Sequence, residues 1–186
     1  MTKVIIIEGC DRVGKDSLID RLKDTASTYI ILHSGIPKSS NLHNYYYDGI
    51  IHDTLKNYYA HTDLIIHNRS MYGEYVYGPK YRHEDKEKIA KLIYNLEVGQ
   101  LKTFISENEL YFILLTSSDA NLVYDNRDGL SISDKIDDLK YELNAFEEIF
   151  DKSTIKRKEK IYVNNGSHFR SKDDIYNDVL KFINRD

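Results

Sequence analysis

Two scarcities narrow the classes of protein to which this sequence can belong. It has a single cysteine, Cys10, among 186 residues, so it cannot form an internal disulfide, and this fits a reducing compartment. It has no apolar run that approaches the roughly 18 residues of a membrane-spanning helix. The first strand begins within the first few residues, which leaves no room for a signal peptide. We therefore expect a cytoplasmic protein without a membrane partner.

The sequence also lacks tryptophan and an excess of positive charge. Its 26 lysine and arginine residues face 30 acidic ones, which gives a net charge of −4. A protein that coats nucleic acid needs many cations for phosphate contacts, so we do not expect nucleic acid as a partner. A local basic pocket, which is all that a nucleotide needs, is compatible with this balance. Tyrosine is abundant, at 16 residues, and one or two of these rings could stack on a base.

Two hydrophobic periods alternate along the chain. Runs typical of buried strands fall at 3–9, 29–33, 63–67, 110–116 and 160–164. Helical spacing recurs at 14–25, at 84–108, after Ser133 and after Ser171; the segment 41–61 is ambiguous, and its apolar residues suggest a helix. The polar stretch 117–131 is predicted to be a mobile loop, and the basic run 152–160 a solvated connection.

This order of elements predicts the fold class. Strands that alternate with helices require right-handed crossovers and a parallel sheet. We therefore predict one three-layer α/β domain over residues 1–186, with a five-stranded parallel sheet flanked by helices. Ligands of such sheets bind beyond the carboxyl ends of the strands, so the loops that follow the strands should meet there.

The most informative motif is the run Gly9-Cys-Asp-Arg-Val-Gly-Lys-Asp-Ser17, between a buried strand and a helix. Its pattern, Gly-x-x-x-x-Gly-Lys, is that of a loop that binds phosphate. A glycine-rich turn aims several backbone N–H groups at one point, the helix adds the positive end of its dipole, and Lys15 supplies a cation. The motif predicts binding of a nucleoside triphosphate by Gly9, Cys10, Asp11, Arg12, Val13, Gly14, Lys15, Asp16 and Ser17. It does not distinguish a kinase from a GTPase or a motor ATPase.

Two segments together resemble the thymidylate kinases, a family of deoxynucleoside monophosphate kinases with the P-loop NTPase fold. The run Glu8-Gly-Cys-Asp-Arg-Val-Gly-Lys15 is similar to their phosphate loop. Asn68-Arg-Ser70, followed by Val76-Tyr-Gly78, resembles their Asp-Arg-Tyr/His…Ala-Tyr-Gln segment. The stretch 73–82 looks most like virus- and phage-encoded members, which would place the protein in the cytoplasm of a host. Arg127 falls where the family has its lid, here at about 117–131.

The resemblance implies a role for each matching residue. Lys15 would bridge the β- and γ-phosphates of the donor, and Arg12 would stabilise the phosphoryl group in transfer. Arg69 would clamp the acceptor's phosphate through a bidentate contact that lysine cannot match. The implied catalytic residues are Lys15, Arg12, Asp11, Arg69 and Arg127, and the implied acceptor-binding residues are Glu8, Arg69, Tyr77 and Arg82.

The sequence departs from the family pattern at two positions. Asp16 stands where the family has the hydroxyl that binds magnesium; either Ser17 serves instead, or Asp16 approaches the ion itself, since magnesium prefers oxygen ligands. Asn68 stands where the family has an aspartate, which removes one negative charge.

The expected activity is transfer of the γ-phosphoryl group of ATP, with Mg²⁺, to a deoxynucleoside monophosphate, dTMP in the first place. Three alternatives stay open: a deoxynucleoside kinase, suggested by Ser70; a kinase of modified bases within DNA; and a nucleotide-binding protein without catalysis. The expected partners are small nucleotides, and the resemblance also implies a homodimer.

Overall fold

A parallel sheet forms the centre of the protein. The computed structural model describes residues 2–37, 41–125 and 135–185. The strands of the sheet are β1 (Lys3–Glu8), β2 (Tyr29–His33), β3 (Leu64–Asn68), β4 (Leu110–Thr116) and β5 (Arg157–Tyr162). Their order is β2-β3-β1-β4-β5, and every neighbouring pair is parallel. The predicted five-stranded parallel sheet is therefore confirmed.

Helices connect the strands. They are α1 (Lys15–Leu22, extended by a 3₁₀ turn over Lys23–Thr25), α2 (Leu42–Asn44, Tyr45–Ile51 and His52–Tyr59 in succession), α3 (Tyr72–Arg82), α4 (Lys86–Leu96, Glu97–Leu101 and Lys102–Phe104 in succession), α5 (Ala120–Asp125), α6 (Ile136–Lys152) and α7 (Lys172–Ile183). The middle parts of α2 and α4 have the wider π-helical turn. A short antiparallel hairpin of β6 (Asn164–Asn165) and β7 (His168–Phe169) follows β5. None of the helices in the described ranges is long and apolar enough to cross a membrane.

The helices cover both faces of the sheet. Successive side chains of a strand point to opposite faces, and β4 illustrates the result. The ring of Tyr111 meets Phe182 of α7, with centroids 5.7 Å apart. The ring of the next residue, Phe112, stacks on Tyr72 of α3 at 4.3 Å and packs against Phe150 of α6 at 4.9 Å. Helix α1 lies beside α7 on the face of the sheet that carries Tyr111, whereas α2 and α4 lie on the face that carries Phe112.

Helix α3 is the main element that the sequence did not predict. Its residues include Gly73, Gly78 and Pro79, all of which disfavour a helix interior. The helix forms nevertheless, and its first seven residues are buried without interruption. The carboxylate of Glu97 in α4 fastens the start of α3, because it accepts a hydrogen bond of 2.7 Å from the hydroxyl of Tyr72. Packing therefore overrides local propensity in this segment.

Three other boundaries differ from the prediction. Strand β5 begins at Arg157, so interpreting the whole basic run 152–160 as a solvated connection was wrong. The helix expected over 84–108 spans Lys86 to Phe104 and is capped by Asp85. Of the loop expected over 117–131, residues 120–125 form α5, and 126–131 lie outside the described residues.

A buried histidine makes the stability of this fold depend on pH. The Oγ1 of Thr54 donates to the carbonyl of Ile50, so Nε2 of His67, 2.9 Å away, must donate to Thr54. Burial lowers the pKa of His67 from 6.5 to about 4, so this ring stays neutral in the folded state. The unfolded chain takes up the proton first as the pH falls.

We predict that the free energy of unfolding falls from pH 6.5 towards pH 4, by at most about 1.4 kcal/mol per pH unit from this group. Denaturant titrations at several pH values would measure the slope. The His67→Gln variant should have a smaller slope over this range, whereas His33→Gln, at an exposed position of β2, should match the parent. Equal slopes for all three proteins would contradict the assignment.

Candidate functional site

The loops that follow the strands meet at the carboxyl edge of the sheet, as predicted. The loop after β1 approaches Leu115 near the end of β4, and the backbone N–H of Arg69, after β3, donates to Ile7 of β1 at 3.1 Å. The side chain of Arg69 forms an ion pair with Asp11 of the first loop. Residues that are far apart in sequence thus share one site.

The loop from residue 9 to residue 14 depends on an unusual backbone. Gly9 has φ of 141°, and a Cβ at this position would clash with the carbonyl oxygen of Leu115. Gly14, at φ of 87°, precedes the first turn of α1 in the left-handed region. Arg12 adopts φ of 71°, which costs a non-glycine residue about 1 kcal/mol or more. Cys10 and Val13 are buried beneath the loop, and burial raises the pKa of the Cys10 thiol to about 12, so the thiol is unreactive.

Lys15 closes this loop on itself. Its Nζ donates to the carbonyl oxygens of Gly9, at 2.8 Å, and of Cys10, at 2.6 Å. The side chain is buried, and this burial, followed by the positive charge of Arg69, lowers its pKa to about 8. The oxygens of a bound phosphate would be stronger acceptors than these two carbonyls, because they carry charge.

Arg12 is a cation without a counter-ion in the described part of the chain. All three of its guanidinium nitrogens are buried and have no hydrogen-bond partner there. A buried charge is costly unless an opposite charge meets it. The unpaired guanidinium in this loop therefore fits an anion such as a phosphate.

Glu8 is the last residue of β1, and its side chain contacts Ser70, which follows β3. Its Oε1 accepts hydrogen bonds from the backbone N–H of Ser70, at 2.6 Å, and from the Ser70 hydroxyl, at 3.1 Å. Its Oε2 has no partner among the described residues. Burial raises the pKa of Glu8 to about 7, although the neighbouring hydrogen bonds and cations oppose this shift.

The two positions that depart from the family pattern contact each other. The side-chain amide of Asn68 donates to Oδ1 of Asp16 at 2.7 Å. Asp16 lies in the first turn of α1, and Ser17 follows it. No group of three or more His, Cys, Asp or Glu side chains in the described ranges is arranged to hold a metal ion. The side-chain oxygens of Asp16 and Ser17 are groups that could hold such an ion.

A cavity of about 670 Å³ opens beside the phosphate loop. Three of the predicted acceptor-binding residues, Arg69, Tyr77 and Arg82, line it, and Ser34, which follows β2, lines it as well. The guanidinium of Arg69 lies 5.5 Å from the centre of the Tyr77 ring, which supports it. Arg127, the predicted lid arginine, lies outside the described residues.

The sequence did not single out two residues of this cavity, Glu74 and Tyr46. A signal was present for Glu74, since it is a charge inside the aromatic segment that forms the buried start of α3. A charge in such a segment needs a partner. The partner of Glu74 could not be read from the sequence, because Tyr46 lies 28 residues away.

No family model matches the sequence. No curated protein matches it either. Solved structures do share its fold. The thymidylate kinase of Candida albicans aligns over 98% of this chain and 91% of its own, with a TM-score of 0.66 and 15% identity.

Two further structures extend this likeness. The YorR protein of Bacillus subtilis, solved in complex with phosphorylated GDP, aligns over 97% of this chain and 95% of its own, with a TM-score of 0.63 and 17% identity. Polyphosphate kinase 2 of Arthrobacter aurescens TC1 aligns over 98% of this chain and 65% of its own, with a TM-score of 0.61 and 9% identity. At these identities the likeness establishes the fold alone, which is the three-layer α/β fold of P-loop NTPases.

The lowered pKa of Lys15 predicts that the affinity for ATP depends on pH. Phosphate oxygens stabilise the ammonium form, so binding must return a proton to Lys15 once the pH exceeds about 8. The association constant should change little near neutral pH. Above about pH 8 it should fall by up to about tenfold per pH unit. Calorimetric titration at a series of pH values would measure this. The Lys15→Ala variant should bind more weakly and lack the fall; parallel profiles for both proteins would refute the assignment.

Proposed function

We propose that the protein transfers the γ-phosphoryl group of ATP to the phosphate of a deoxynucleoside monophosphate, with dTMP as the acceptor. One observation carries the proposal: the phosphate loop and the cavity meet at the ion pair between Asp11 and Arg69. A donor on the loop and an acceptor in the cavity would therefore place their phosphates on either side of this pair.

The donor side has the groups that hold a triphosphate. Lys15 exchanges its two carbonyl partners for phosphate oxygens, and the amides at the start of α1 bind the same group. The guanidinium of Arg12 gains the counter-ion that it lacks within the described residues and stabilises the charge of the group in transfer. Such a reaction depends on positioning and charge, with little covalent chemistry for the protein.

The acceptor side has a cation and a cavity of suitable size. Small-molecule sites commonly enclose roughly 300–1,000 Å³, and this one encloses about 670 Å³. Arg69 binds the acceptor's phosphate after partial release from Asp11, and the ring of Tyr77 keeps its guanidinium in place. The fold shared with a thymidylate kinase supports the choice of dTMP, as does the motif around Arg69.

Magnesium fits the oxygen groups beside the loop. Asp16, oriented by the amide of Asn68, or Ser17 next to it would hold the ion, which would neutralise charge on the donor's phosphates. The virus- or phage-type origin suggested by residues 73–82 and the homodimer implied by the resemblance belong to the same proposal.

A second candidate function follows from Glu8. Its Oε2 is buried and unpartnered within the described ranges, and its pKa of about 7 suits a general base. A nucleoside acceptor needs such a base at its 5′-hydroxyl, whereas a phosphate acceptor does not. Thymidine would then be phosphorylated faster than dTMP, and Glu8→Gln would remove that activity.

The proposal predicts the response to Arg69→Lys. Lysine keeps the charge but loses the bidentate contact, so the KM for dTMP should rise by about tenfold or more, while the KM for ATP stays within about twofold. ADP release would be measured with dTMP, thymidine and the other deoxynucleoside monophosphates. Arg21→Lys, at a surface ion pair of α1, serves as the matched control. Equal increases in both KM values would refute the acceptor clamp, and ATP binding without any stimulating acceptor would refute the activity.

The contact between Asp16 and Asn68 predicts that moving the carboxylate from position 16 to position 68 is tolerated better than changing either residue alone. Asp16→Ser removes the carboxylate, and Asn68→Asp alone sets two carboxylates in hydrogen-bond distance. The double variant again has a single carboxylate, now at position 68 beside the hydroxyl at position 16, so the coupling energy should be at least ~1 kcal/mol.

The coupling energy would be calculated from the affinities of the parent, the two single variants and the double variant for an unreactive ATP analogue. Each affinity would be measured with Mg²⁺ and again with a chelator. Asp20→Ser, at an exposed position of α1, is the control for the loss of an aspartate from this helix. Strictly additive effects of the two substitutions, or a coupling energy that persists without Mg²⁺, would show that this pair does not act through the metal.

A further inference from the structure

The wall of the cavity contains a buried carboxylate that the proposed phosphoryl transfer does not use. Glu74 is only 3% exposed and lines the cavity together with Arg69. Its Oε2 accepts a hydrogen bond of 3.0 Å from the hydroxyl of Tyr46, and its Oε1 accepts from Nη2 of Arg82. Tyr46 and Arg82 line the same cavity. A carboxylate and a guanidinium are thus held side by side at the surface where an acceptor would lie.

The helix is shaped around this pair. A Cβ at Gly78 would lie 2.8 Å from Oε1 of Glu74 and 2.7 Å from Oε2 of Glu84, so any larger residue here would displace the two carboxylates from these positions. Burial, and then the neighbouring carboxylate of Glu74, raise the pKa of Glu84. Arg82 forms ion pairs with both carboxylates.

Stability alone gives no reason for this arrangement. Buried ion pairs contribute little net stability, and apolar residues of similar volume commonly do as well. A second observation in the same wall indicates a polar ligand. The hydroxyl of Tyr77 is buried and has no partner among the described residues, although its ring lines the cavity. Polar groups left in this state are satisfied by a bound molecule or by water.

We propose that Glu74 and Arg82 recognise the hydrogen-bonding edge of a nucleobase. The carboxylate accepts from an N–H of the base, and the guanidinium donates to the neighbouring oxygen or ring nitrogen. A base-free phosphate compound has no such edge, so the pair selects nucleotides as the acceptor class. This inference rests on the proposed function, because the base belongs to its acceptor nucleotide.

The test measures binding to the full-length protein without ATP. The ligands are the four deoxynucleoside monophosphates and 2-deoxyribose 5-phosphate, which has the phosphate and the sugar but no base. Glu74→Gln should weaken binding of dTMP by at least about tenfold and change the order of preference among the four nucleotides, because an amide presents a donor where the carboxylate only accepts. Binding of deoxyribose 5-phosphate should stay within about twofold of the parent's.

Three other variants separate recognition from folding. Arg82→Lys, at a partly exposed position, should also weaken the nucleotides alone, whereas Arg69→Lys should weaken all five ligands. Glu148→Gln is the matched control, since Glu148 likewise accepts from a tyrosine, Tyr75, and a cation, Lys86, but on the surface of α6. Thermal unfolding of each variant reports whether it folds. If Glu74→Gln does not fold, the Arg82→Lys variant still tests the proposal.

The outcomes distinguish the two proposals. Equal losses for nucleotides and deoxyribose 5-phosphate in the folded Glu74 and Arg82 variants, or an unchanged order of preference, would overturn base recognition and leave the kinase proposal intact. Failure of the parent protein to bind any of the four nucleotides would overturn both.

Discussion

The ion pair between Asp11 and Arg69 joins the two halves of the candidate site. Asp11 belongs to the loop after β1, and Arg69 follows β3, so the pair bridges the phosphate loop and the cavity. Both Arg12 and Arg69 adopt left-handed backbone conformations, which indicates that the surrounding structure holds them against a local cost. The charges of Asp11 and Arg69 both act on Lys15. Three cations, Arg12, Lys15 and Arg69, thus lie at this junction, and the guanidinium of Arg12 has no hydrogen-bond partner among the described residues.

Tyrosine hydroxyls paired with glutamates recur through the packing that positions this site. Hydrogen bonds of this kind, at 2.6–3.0 Å, join Tyr46 to Glu74, Tyr58 to Glu109, Tyr72 to Glu97, Tyr75 to Glu148 and Tyr81 to Glu142. A hydroxyl can satisfy a buried carboxylate while its ring fills the apolar space around it. The abundance of tyrosine, which on composition alone carries little meaning, thus has a physical role. Four of these five pairs include a residue of α3, the helix along the cavity.

The sequence predicts those features whose causes are local. The strands follow from short apolar runs, and the phosphate loop follows from the spacing of its glycines and Lys15 between a strand and a helix. Helix α3 could not be predicted, because Gly73, Gly78 and Pro79 oppose a helix and only its packing favours one. The contact between Tyr46 and Glu74 was equally out of reach, since nothing near either residue specifies the other.

The contact between Asp16 and Asn68 changes how the two departures from the family pattern are to be interpreted. Taken one at a time, each removes a group that a kinase would use, and together they motivate the alternative of a nucleotide-binding protein without catalysis. As contact partners they compensate, because a carboxylate at position 16 faces a neutral amide at position 68. The resembled pattern has a neutral hydroxyl at the first position and a carboxylate at the second. The number of negative charges beside the phosphates is therefore the same in both arrangements. A loss of catalysis would need another cause, since neither the charge nor the supply of oxygen ligands is reduced.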